Sequence, residues 1–212
     1  MRNLLSRTLL APIVVLCAIW LQPAAAAVDA SQAADFLIEL QEKAASRLGD
    51  ASISSEEKEQ YFRQLFNENF DVPAIGRFVI GRYWRRASDA DKQAFLKVFE
   101  DAMVQRFLPL LAENSSERFR IGTVTPHSEK DVLIDSRIDR NEAEPYRVAW
   151  RVRETDGAFK ILDIVAEGVS MAITLRSEYG SVLKNNGGNL PQLTDALRDK
   201  AARGAFAQQQ TN

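Results

Sequence analysis

Residues 131–166 read DVLIDSRIDRNEAEPYRVAWRVRETDGAFKILDIVA, and their period of two decides the fold class. Val132, Ile134 and Ile138 alternate with Asp135, Arg137 and Asp139. Tyr146, Val148, Trp150 and Val152 alternate with Arg147, Arg151 and Arg153. Successive side chains of a strand point to opposite faces, so each run predicts a half-buried antiparallel strand. Asp156-Gly157 is a two-residue hairpin signal. The strand after it, Phe159 to Ala166, is apolar on both faces, which predicts a central position or cover on both sides. Upstream, Phe119, Ile121 and Thr123 alternate with Arg118 and Arg120 and complete a four-strand meander.

On either side of the meander the period becomes helical. Phe36, Leu37, Leu40, Ala44 and Leu48 form one stripe that ends at Gly49. Ser54 with Glu57, and Ser88 with Asp91, have the spacing of capping boxes that open helices. The first of these helices carries Phe62, Leu65 and Phe66. The second runs over 89–112 with Phe95, Val98, Phe99, Met103, Phe107 and Leu110 on its apolar side. Between them, Asp71 and Pro73 start a short helix from Val72 to Ile80. It leads into the aromatic and basic cluster Tyr83, Trp84, Arg85 and Arg86. Ser170 caps a further helix with Met171, Leu175, Tyr179, Val182 and Leu183, and Pro191 opens a last one with Leu193, Leu197 and Ala201. Helices, a meander, then helices make an α+β domain, and the expected architecture is a curved antiparallel sheet of about four strands with helices across its concave face.

Residues 1–27 read as a cleaved secretory signal. Arg2 and Arg7 form a positive start, Thr8 to Leu21 is apolar but short for a membrane span, and Ala24 to Ala27 satisfies the small-x-small cleavage rule. An uncleaved anchor is disfavoured by that length and by the alanine tract. A lipoprotein signal needs a small residue before Cys17, and Leu16 stands there. The expected organisation is therefore a signal over 1–27, one domain over 28–203 and a tail without fixed structure over 204–212. The processed chain has no cysteine, which excludes disulfides and thiolate chemistry. The 27 Lys and Arg face 29 Asp and Glu. Without Arg2 and Arg7 the basic count falls to 25, a net charge of −4. That argues against a nucleic-acid binder, which carries a basic excess.

Residues 70–88, FDVPAIGRFVIGRYWRRAS, bear a resemblance of their own. Phe70-Asp71, Gly76-Arg77 and Ile80-Gly81-Arg82-Tyr83-Trp84-Arg85 resemble the signature of the MlaC, or toluene-tolerance, family of periplasmic lipid carriers. A second match is Glu167-Gly168-Val169-Ser170, then Arg176-Ser177-Glu178-Tyr179 and the break at Gly187-Gly188. The resemblance runs from about residue 30 to about residue 200. It implies a cone-like sheet-and-helix fold similar to nuclear-transport-factor-2 domains with extra terminal helices. It also implies a bound phospholipid and two partners: an inner-membrane ABC transporter complex and an outer-membrane lipoprotein complex. A hopanoid-associated branch of the family implies a polycyclic lipid instead.

The energetics of such a ligand set the requirement. Exposing a methylene to water costs about 0.8 kcal/mol, so a diacyl lipid with on the order of 30 of them costs roughly 24 kcal/mol unshielded. A soluble carrier must enclose the tails. Candidate pocket residues are Phe70, Val79, Phe99, Met103, Val148, Trp150, Ile164, Val169 and Met171, although a filled core demands the same residue types. Arg82, Arg85 and Arg86 are candidates for pairing with a head-group phosphate at the mouth. The alternative for them is a solvated or ion-paired role with Asp89 and Asp91.

The case for an enzyme is thinner. His127 is the lone histidine, in a loop between Pro126 and Ser128, and no nucleophile elbow or phosphate-cradling loop accompanies it. Clustered metal ligands are lacking, and no cofactor is called for. Asp163, in an apolar strand, is the candidate base for an isomerase or hydratase on a cone-shaped scaffold; the alternative for it is pairing with an arginine. An adaptor with a filled core is the remaining reading.

Overall fold

The computed structural model describes residues 28–113, 119–140 and 143–206. The signal read over residues 1–27 lies outside them. Among the described residues, six α-helices and five strands follow one another as α1 (Ala30–Leu48), α2 (Ser55–Asn69), α3 (Val72–Ile80), α4 (Asp89–Glu113), β1 (Phe119–Pro126), β2 (Asp131–Arg140), β3 (Ala143–Thr155), β4 (Ala158–Ala166), β5 (Val169–Ser170), α5 (Met171–Asn185) and α6 (Leu190–Ala202). A 3-10 helix, Gly81–Arg86, joins α3 to α4.

Local signals place these boundaries. Ser54 and Glu57 satisfy each other's backbone N–H at the start of α2. The Ser88 hydroxyl accepts the Asp91 N–H at 3.1 Å and donates to its carboxylate at 2.7 Å. Asp71 caps α3 by accepting from the Ala74 N–H. The periodicity carries no sign of the aromatic and basic 3-10 turn, because six residues are too few to establish a helical period.

The strands form one antiparallel sheet in sequence order. Asp156 and Gly157, at φ 53° and 77°, make the predicted hairpin turn. A second turn of the same kind, Glu167-Gly168 at φ 47° and 82°, returns the chain into β5, a strand too short to read from periodicity. Glu167 ties that turn down: its carboxylate accepts the Arg147 N–H at 2.6 Å and pairs with the Arg147 guanidinium at 3.2 Å. Register shifts mark an irregularity between β3 and β4 at Arg151 and Val152. Arg151 faces Asp163 while Val152 faces Ile161, so Leu162 is the unpaired extra residue.

Two apolar clusters divide the interior. The larger is helical and gathers Phe62, Val79, Phe95, Phe99, Tyr179 and Leu193 among others. The smaller sets Ala33 and Leu37 of α1 on Val132, Ile134, Val152 and Ile161 of the sheet. Phe70 packs against both, and the Asp71 N–H donates to the Ile161 carbonyl at 3.1 Å, pinning the α2–α3 corner to β4. At the C-terminal end the expected tail is corrected. Phe206 is buried in the helical core with the Lys200 ammonium over its ring. A single aromatic in a small, polar stretch gave no periodic signal; residues 207–212 lie outside the described residues.

Candidate functional site

A cavity of about 280 Å³ lies between the helices and the sheet. Helix α1 supplies Leu37, Leu40 and Ala44, and α2 supplies Phe62 and Phe66. Phe99, Met103 and Phe107 of α4 face them, and Trp150, Leu162 and Ile164 form the sheet side. Leu162, Asp163 and Ile164 all border the cavity although they are consecutive. A regular strand would turn the middle residue away; the irregularity at Leu162 removes that constraint. Leu110 and Leu111, past Pro109 in the last turn of α4, are exposed and also border the space.

The wall is apolar but for Gln41 and Asp163. The Asp163 carboxylate accepts the Ser170 hydroxyl and, at 2.9 Å, the Ala172 N–H. Ser170 in turn accepts the Ile173 N–H at 3.0 Å. Asp163 therefore serves the first turn of α5, where a negative charge is favoured. This corrects its expected arginine partner: Arg151, opposite it in register, turns its guanidinium to Asp131 instead. Trp150 is held from behind. Its indole N–H donates to the Ser136 hydroxyl at 2.9 Å, and Ser136 donates to the Val148 carbonyl at 2.9 Å.

Of the residues singled out in the sequence, Phe70, Phe99, Met103, Trp150, Ile164 and Met171 border the cavity together. Three others lie off its wall. Val79, 1% exposed, packs inside the helical core. Val148 is buried in the sheet opposite Ala166, and Val169, 57% exposed, sits in β5 on the surface. Apolar character alone does not report which side of an element faces a void. Arg82, Arg85 and Arg86 are exposed on the 3-10 helix and border no part of the cavity. Asp89 pairs with Lys92 and Asp91 with Ser88, so neither takes those arginines. The α1 and α2 wall residues were legible as helical stripes but not as cavity lining, because the core uses the same stripes.

Residues 39–199 match the family described as MlaC protein. The chain belongs to the MlaC family. It is 21% identical over 134 residues to the toluene tolerance protein ttg2D of Pseudomonas putida, covering 63% of this chain and 62% of that protein. It is 26% identical over 121 residues to the intermembrane phospholipid transport system binding protein MlaC of Haemophilus influenzae, covering 53% and 54%. The matched stretches thus span less than two thirds of each relative's length. Among solved structures, a phospholipid-binding protein from Ralstonia solanacearum in complex with a phospholipid superposes with a TM-score of 0.72 at 18% identity. The match covers 84% of this MlaC-family chain and 99% of that one, so the two share a fold. Among the described residues, no helix is long and apolar enough to cross a membrane.

Proposed function

We propose that this chain is a soluble lipid carrier of the periplasm. It holds the acyl chains of a phospholipid in the cavity between α1, α2, α4 and the sheet, and works by binding and handover without covalent chemistry. The observation that carries this reading is the cavity itself. Interiors are close-packed, and leaving an apolar void costs about 24 cal/mol per Å³, at most about 7 kcal/mol here. That is comparable to the whole stability of a typical domain. An apolar ligand in the space offsets that cost, and the hydrophobic effect makes an acyl chain the matching ligand. Phe70, Phe99, Met103, Trp150, Ile164 and Met171 are the proposed contacts. Membership of the MlaC family and the fold shared with a phospholipid-bound protein support the reading. Export through the signal over 1–27, and exchange with an inner-membrane ABC transporter complex and an outer-membrane lipoprotein complex, are part of the proposal.

Protein expressed with its signal and purified from the periplasm, examined by native mass spectrometry and lipid extraction, tests it. A bound species of phospholipid mass is the expected result. A hopanoid mass would move the ligand to the polycyclic class. A ligand-free mass under gentle conditions, with no lipid taken up from vesicles, would overturn the carrier reading. The isomerase reading keeps one observation in its favour, the Asp163 carboxylate on the cavity wall. Its hydrogen bonds to Ser170 and Ala172 favour a structural role.

A further inference from the structure

A second cleft, of about 290 Å³, lies beside the C-terminal end of α3 and shares no lining residue with the apolar cavity. Val79 to Tyr83 border one side of it. Arg176, Gly180 and Lys184 border the other, recurring every four residues along one stripe of α5. Three positive charges thus converge on a space bordered by no carboxylate.

Several cations elsewhere in the molecule are matched. Arg63 meets Glu59, Glu100 and Asp101, and Arg151 and Arg153 share Asp131. Among the described residues, Arg82, Arg176 and Lys184 form no ion pair. Two of the three are nonetheless held in place. The Arg176 guanidinium donates to the Phe78 carbonyl at 2.7 Å and lies 4.8 Å from the Phe78 ring centre. Arg82 donates to the Tyr83 hydroxyl at 2.8 Å and lies over that ring. Gly180 keeps the floor open: a Cβ built there meets nothing within 4 Å. A glycine inside a helix costs about 1 kcal/mol against alanine, and an unobstructed cleft gives that cost a purpose. Phe78, beneath Arg176, and Ile173, one turn earlier on α5, are 41% and 61% exposed.

We propose that this cleft docks an acidic segment of a partner protein, with carboxylates on Arg82, Arg176 and Lys184 and an apolar side chain against Phe78 and Ile173. Charge complementarity selects the occupant. A small inorganic anion would leave the two apolar residues uncovered. The inference stands apart from lipid carriage, because the two spaces are separate.

The test is a titration of the purified, 15N-labelled protein with a short synthetic peptide of Glu and Leu, against a control with Gln for every Glu. The Glu peptide is expected to shift the backbone amides of residues 78–83 and 173–184, and the Gln peptide to leave them in place. Gly180→Leu puts a side chain into the open space and Lys184→Glu reverses an exposed charge. Each is expected to weaken the Glu peptide at least about tenfold, which is 1.4 kcal/mol, with melting temperature not lowered and lipid occupancy unchanged. Shifts that map elsewhere, or that persist at full affinity in both variants, would overturn the proposal. So would equal shifts from inorganic phosphate or from phosphatidylglycerol vesicles, which would assign the cleft to bare phosphate or to a lipid surface.

Discussion

Asp131 is fully buried at the start of β2 and pairs with two arginines, Arg151 and Arg153. Burial opposes its ionisation, but hydrogen bonds from Arg153 and Arg151, at 2.6 to 3.1 Å, outweigh it and hold the carboxyl below its usual range. A depressed carboxyl stabilises the fold above its unfolded value, near 3.9, and that stabilisation is lost as pH falls through the folded value. Urea midpoints should therefore drop below about pH 4, and Asp131→Asn should flatten part of that fall. At neutral pH the same substitution should cost about 2–4 kcal/mol, since it strands two guanidiniums, with solvent screening the part of each that is exposed. Ser136→Ala makes a second test. It removes the hydroxyl that accepts the part-buried Trp150 indole N–H, an expected loss of about 1 kcal/mol in urea unfolding. A red shift of Trp150 emission should accompany it; unaltered emission would mean the indole is held by something else. Neither arrangement was legible in the sequence. The alternation gave Asp131 no facing partner, and Ser136 occupies an inward position that the pattern reserves for apolar side chains.

Among the elements, α3 and α5 show how far sequence signals reach. Both were readable end to end, because capping is local chemistry: Asp71 and Pro73 for α3, Ser170 for α5. What joins them to their neighbours was not, since it rests on approach distances. Gly76 of α3 sits so close to α4 that a Cβ there falls 2.4 Å from the Leu96 side chain. Gly76→Val should cost about 1–3 kcal/mol by overpacking, read as a lower urea midpoint, and an unchanged midpoint would show that Leu96 yields freely. At the start of α5, Asp163→Ala should destabilise by about 1 kcal/mol, the scale of a lost helix cap, while lipid uptake from vesicles persists. Loss of a turnover activity in that variant, with folding and lipid uptake intact, would instead support the isomerase reading. The sheet strands were legible by period two, but the extra residue at Leu162 was not. It appeared in the sequence only as a strand apolar on both faces, which predicts a central position or cover on both sides, and β4 does lie between β3 and β5.

At the scale of the whole molecule, fold class followed from the order of periods, whereas the cavity did not, because a wall and a core demand the same apolar residues. Six of nine pocket candidates nonetheless border it, since helical stripes and inward strand positions converge on one interior. Filling the space separates wall from core experimentally. Ala45 of α1 also lines the cavity; Ala45→Trp places an indole into it and should abolish lipid occupancy without lowering the melting temperature, and retained lipid would assign the ligand elsewhere. Delipidated protein should melt about 5–10 °C below protein at a hundredfold excess of lipid over its dissociation constant, the effect of about 2.7 kcal/mol on a domain of this size. Phe206 has a consequence for the order of events during synthesis. The helical core joins Leu48 and Phe62 to Phe206, so its last contribution arrives after every other residue of that core has been made. At about 5–20 residues per second, roughly 7–30 s separate the emergence of α2 from that of Phe206. Throughout that interval the chain lacks the last residue of its helical core, and on the proposed export route a polypeptide slow to lock is one that a translocation channel can still thread.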